Sequence, residues 1–80
     1  MKYILINNED HYHSVFMRLA REGYKIDLNT VNPVKSPEDV ELIAMLDNKT
    51  MKILYKNTPL DCGSISNERV LKAMNFEEIK

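Results

Sequence analysis

The sequence predicts a single small α/β domain, residues 1–80, with a mixed sheet of three or four strands and about three helices packed on it. Three observations lead there. Short apolar runs alternate along the chain with longer helix-forming stretches, the pattern of crossover-connected sheets. Eighty residues suffice for one core and leave no room for a second. A lone cysteine, Cys62, rules out an internal disulfide, so packing alone must hold the domain together.

Lys2 to Ile6 reads as the first strand. Tyr3, Ile4, Leu5 and Ile6 are apolar at both parities, which predicts a strand covered on both faces and central in its sheet. Asn8 to Glu22 reads as a helix. Asn8 caps it, Glu9 and Asp10 place negative charge in its first turn, and Gly23 supplies a left-handed stop. Tyr12, Val15, Phe16, Leu19 and Ala20 form its apolar stripe. Tyr24 to Leu28 then alternates Tyr24, Ile26 and Leu28 with Lys25, Asp27 and Asn29, a strand with one wet face. A helix between two strands predicts that they pair in parallel through a right-handed crossover.

Asn29 to Lys35 is a loop around Asn32-Pro33. Ser36-Pro37-Glu38-Asp39 has the form of a helix start, with a capping serine, proline in the first turn and two acids. The expected helix runs from Ser36 to Asn48, with Val40, Leu42, Ile43, Ala44 and Leu46 on a broad apolar face. A rival reading makes Val40 to Leu46 and Met51 to Lys56 a β-hairpin around Asp47-Asn48-Lys49-Thr50. The helix start and the helix-forming Glu, Leu, Ala and Met favour the helix.

Met51 to Tyr55 alternates with Lys52 and Lys56, an exposed, edge-like third strand. Thr58-Pro59-Leu60-Asp61 is a turn, and Cys62 to Ile65 a short fourth strand. Ser66 caps a last helix to Asn75, with Ile65 and Val70 at staple spacing and Val70, Leu71 and Met74 as its buried stripe. The tail from Glu77 to Lys80 is expected to fray.

Charge excludes some function classes. Eleven basic residues stand against 12 acidic ones, a net charge of −1, which argues against a general nucleic-acid binder. The opening apolar run is too short for a signal-peptide core or a membrane span, and one cysteine suits the reducing cytoplasm. Abundant Lys, Asn, Ile and Met match the coding bias of AT-rich bacterial or phage genomes. Only two glycines are present, and no phosphate-cradling loop can be assembled from them.

The candidate chemical residues are few. His11 and His13, two apart on a helix, point about 200° from each other and cannot share a metal there. Were that segment extended instead, Asp61 and Cys62 would be the remaining ligands; the reading expects no metal and no cofactor. Cys62, beside Gly63 and upstream of a helix, is a candidate for a reactive thiol, with a small buried hydrophobe as the plainer alternative. Arg18, Arg21 and Lys25 form one basic set. Lys49, Lys52 and Lys56 form another, and beside Tyr55 it would suit a phosphate or a base face, or simply protect a sheet edge.

The order strand, helix, strand, helix, strand, short strand, helix resembles the glutaredoxin and thioredoxin-like fold. Thr50-Met51 resembles that family's Thr-Met-Pro or Thr-Val-Pro, and Cys62-Gly63-Ser64 its Gly-Gly segment. Where the family carries its Cys-x-x-Cys pair, this chain has His11-Tyr12-His13-Ser14, and Lys52 stands at the place of the cis-proline. The resemblance therefore implies a degenerate member without redox function, and no catalytic residue is carried over.

The expectation is a small, cytoplasmic, non-catalytic protein-interaction module, a phage-borne adaptor or inhibitor that binds a host protein. Its expected surfaces are the first helix start (His11, His13, Ser14) and the exposed third strand (Lys52, Tyr55, Lys56), where an edge can accept a partner strand. The alternatives are a thiol-dependent or glutaredoxin-like protein using Cys62, and a specific nucleic-acid binder using the lysine strand.

Overall fold

In the computed structural model, which describes residues 1–27, 37–56 and 66–79, the first apolar run forms β1, Lys2–Leu5. It is followed by α1 (Glu9–Arg21), β2 (Lys25–Ile26), a 3-10 turn (Pro37–Asp39), β3 (Val40–Met45), β4 (Thr50–Tyr55), α2 (Asn67–Ala73) and β5 (Glu77–Glu78). The general α/β class is as expected. The sheet is mixed and five-stranded, in the order β2-β4-β3-β1-β5, with two α-helices among the described residues.

β3 runs antiparallel to both of its neighbours, and the other four strands share one direction. The connection through α1 leaves β1 and passes β3 and β4 to reach β2. The connection through α2 leaves β4 and passes β3 and β1 to reach β5. Two crossovers of one hand that travel in opposite directions must lie on opposite faces of the sheet. The packing agrees: Ile4, Ile6, Ile43, Met45 and Met51 meet Val15 and Leu19 of α1 on one face, whereas Tyr3, Leu42 and Ala44 meet Leu71 and Phe76 on the other.

The expected helix over Ser36 to Asn48 is replaced by the hairpin. Pro37–Asp39 makes one 3-10 turn, and Val40–Met45 then pairs with Thr50–Tyr55. The reason lies in the apolar pattern. Leu42 and Ala44 fill one core while Ile43 and Met45 fill the other, so residues of both parities are buried, which suits a strand covered on two faces. That burial outweighs helix preferences of a few tenths of a kcal/mol per residue. A register shift between Val40 and Leu42 inserts one residue, Glu41, and thereby turns Val40 onto the α1 face with Ile43. Lys49 takes φ 60° in the turn.

Three more expectations are corrected by the strand pairing. β1 and β2 are not neighbours; β1 pairs with β3 and β5, and β2 pairs with β4. The third expected strand, now β4, is an interior strand, although β2 pairs only with its Thr50 and Met51. Through Ile79 the tail does not fray: Glu77 donates to Met1 O at 3.1 Å and Ile79 to Tyr3 O at 2.8 Å, adding β5 to the sheet; Lys80 lies outside the described residues. Ile79 packs against the α1-side core, and this apolar anchor is what the acid-rich tail conceals. The expected fourth strand at Cys62 to Ile65 lies outside the described residues.

Both helices start as expected. Asn8 Oδ1 accepts from His11 N–H at 2.8 Å, and Ser66 Oγ accepts from Arg69 N–H at 3.2 Å. Gly23 ends α1 with φ 94°, a backbone that other residues adopt only with strain.

Candidate functional site

α2 is seven residues long, about 10 Å, and packs over β3 and β1. Beside it, Lys52 and Leu54 on that face of β4 are only half-buried. The result is a groove of about 260 Å³ whose floor is Ala44, Lys52 and Leu54. One wall is α2 itself, which presents Asn67, Val70, Leu71 and Met74, the i, i+3, i+4, i+7 spacing of a helix-packing face. Val70 is 43% exposed and Met74 57%, large apolar side chains turned to solvent at the groove. Lys52 is the single charged residue of the described lining.

Polar bonds hold that wall in place. Asn67 Nδ2 donates to Tyr55 O at 2.6 Å, tying the start of α2 to the end of β4. Glu41, the bulge residue of β3, accepts from Glu68 N–H through Oε1 at 3.1 Å, so a carboxylate already occupies the positive end of α2. Glu68 pairs with Lys72 at 2.9 Å, and this bond and charge hold the Lys72 ammonium above its ordinary range. Under α2, the Tyr3 hydroxyl is buried without a hydrogen-bond partner among the described residues, and burial raises its pKa.

The sequence-derived candidates fall in separate places. His11 lies in the first turns of α1, where its Nδ1 accepts from Asn7 N–H at 3.1 Å, and it borders a second hollow of about 300 Å³ with Leu5 and Ile79. His13 is exposed, 3.6 Å from Glu9 and edge-on to Tyr12 at 5.2 Å between centroids. Ser14 is exposed. Among the described residues no three metal-ligating side chains gather. The three strand residues do not form one surface. Lys52 enters the groove, Tyr55 packs against the core on the opposite, α1 face, and Lys56 is exposed with its amide bound to Asp39 O at 2.7 Å. Tyr12 on that face has its pKa raised, by burial first and by Tyr55 second. Cys62, with Asp61, Gly63 and Ser64, lies outside the described residues.

Sequence reasoning assigned Val70 and Met74 to the buried stripe of the last helix, and so missed the groove. The usable signal was the mismatch between a short helix and three adjacent apolar positions, Val70, Leu71 and Met74. Only Leu71 is buried.

Compared with known proteins, the chain matches no family model, no curated protein sequence and no solved structure.

Proposed function

We propose that this chain is a non-catalytic protein-interaction module, a small adaptor or inhibitor, and that the groove beside α2 is its docking surface. The observation that carries this reading is the exposure of Val70 and Met74 along an apolar trough on a domain this small. Apolar side chains gathered at a groove, with a methionine at its rim, are the usual makings of a surface that adapts to a partner. Lys52 gives that trough one fixed charge, which selects partners by an opposite charge. This moves the expected interface away from the start of α1 and retains Lys52 from the earlier set. A cytoplasmic setting belongs to the same proposal, because a protein with one thiol needs no oxidising compartment. The glutaredoxin-like features enter it as scaffold, with Met51 deep in the core at 1% exposure. The separation of Tyr55 from Lys52 onto opposite faces weighs against a joint base-stacking and phosphate-binding strip.

The test is capture from a cell lysate on wild-type protein, on Met74→Glu, and on a His13→Glu, Lys56→Glu double variant. The expected result is one stoichiometric protein partner that Met74→Glu loses and the double variant keeps. Retention by Met74→Glu with loss on the double variant overturns the groove and returns the interface to the first helix start and the strand end.

A further inference from the structure

The hollow beside α2 has its cause in the sheet. Leu42, Ala44 and Leu46 share the α2 face of their strand, and Ala44 is the short one of the three. The register sets Lys52 directly across from Ala44, and Leu54 across from Leu42. A gap over Ala44 is therefore bordered on β4 by one ammonium-bearing chain and one aliphatic chain. α2 closes the other side with Val70, Leu71 and Met74.

Size and charge together restrict the occupant. Dry apolar cavities of about 150 Å³ take a six-carbon ring, so about 260 Å³ suits an apolar body of about eight carbons with a small polar head. Lys52 is half-buried and is the single charged residue of the described lining. A wholly apolar body would take water from that ammonium and return nothing, whereas a carboxylate restores a charge-assisted hydrogen bond. One lysine balances one negative charge, so a monoanion fits, and a phosphate dianion would leave charge in an apolar trough. The positive end of α2 offers no second anchor, because the Glu41 carboxylate already holds the Glu68 N–H.

We infer that the hollow over Ala44 is a binding site for a small apolar monocarboxylate, a free acid of the medium-chain fatty acid class. Its carboxylate lies at Lys52 and its hydrocarbon over Ala44 and along Leu54. The site shares the groove with the docking reading and goes beyond it, since the acid needs only the hollow and no protein partner.

Methyl NMR of the methionines during titration with sodium octanoate, and separately with 1-octanol as its uncharged counterpart, tests it. Octanoate is expected to move the Met74 methyl saturably, with a dissociation constant of about 1 mM or tighter, and to leave Met17 and Met51 in place. Lys52→Met is expected to weaken octanoate relative to octanol by about fivefold or more, because it removes the counter-charge and keeps the apolar stem. Ala44→Leu fills the hollow and is expected to abolish the octanoate shift. Should circular dichroism show that variant unfolded, Leu54→Asp takes its place, setting a like charge in the trough. No saturable Met74 shift up to about 10 mM octanoate, an equal shift at Met17, or an octanoate-to-octanol ratio unchanged in Lys52→Met overturns the site. Absent octanoate binding, a lysate partner that Met74→Glu still loses overturns the acid site and leaves the docking surface standing. Saturable octanoate binding with no lysate partner supports the acid site and overturns the docking reading instead.

Discussion

The two faces of the sheet are built from similar strands and closed very differently. On one face the 13 residues of α1 bury Val15 and Leu19, and the rings of Tyr12, Phe16, Tyr24 and Tyr55 fill the margin of the core. On the other, the seven residues of α2 bury Leu71, while Val70 and Met74 face solvent. The larger side chains complete the first layer, and among the described residues α2 covers β4 only in part on the second. The comparison teaches how unevenly two helices can close one sheet in a domain of this size. The α1 face closes over the larger core, and the α2 face leaves Val70 and Met74 at the surface.

The largest effect that sharpens this contrast is expected from Leu19→Ala. Leu19 is 1% exposed in the α1-side core, and truncation there costs about 2–5 kcal/mol, enough to leave the domain partly unfolded. Urea unfolding followed by circular dichroism measures it; a loss under about 1 kcal/mol would mean that the α1 face is not the main core.

Smaller effects are expected at the backbone punctuation of α1. Asn8→Ala removes the bond from His11 N–H and is expected to cost about 1 kcal/mol by the same assay. Gly23→Ala meets no neighbouring atom but holds φ at 94°, so its cost, again about 1 kcal/mol, is purely conformational.

Tyr3→Phe should act in the opposite direction. The Tyr3 hydroxyl is buried without a partner among the described residues, so its removal is expected to be neutral or to stabilise by up to about 1 kcal/mol. The pH dependence has the matching sign. Burial raises the pKa of Tyr3 and Tyr12 above 10.0, so both stay neutral in the folded chain at pH values where the unfolded chain begins to ionise. Their contribution is complete below that point and falls as the pH climbs past it. Melting temperature should therefore drop above about pH 10, and less steeply in Tyr3→Phe. A drop that is unchanged in the variant would assign it to other groups.

The smallest effect on stability is expected from Met74→Ser. Its side chain is more than half exposed, and the change should stay within about 0.5 kcal/mol while weakening association at the groove. A large destabilisation would place Met74 in the core and close the comparison.

Much of the α1 half was legible in the sequence, because its signals are local. The Asn8 cap, the stripe through Val15 and Leu19, and Gly23 each specify their own few residues. The hairpin was legible only as the lesser of two readings. Pro37-Glu38-Asp39 has the chemistry of a helix start, and the decision against it comes from non-local burial of β3 between two helices. The parallel pairing of β1 with β5 joins residues some 75 positions apart, and no local pattern announces it. The groove was illegible for a related reason. Whether Val70 is core or surface depends on how far a short helix reaches across a sheet whose strand order is not written in any segment.

The account turns on whether the α2 face is open in the single chain. Methyl NMR of the methionines in dilute solution, with a soluble paramagnetic agent added, reads this directly. Met74 should broaden as strongly as Met17, which is 53% exposed, while Met51 at 1% stays sharp. A Met74 signal as sheltered as that of Met51 in the dilute monomer would show the groove already filled by the chain itself, and would contradict the account.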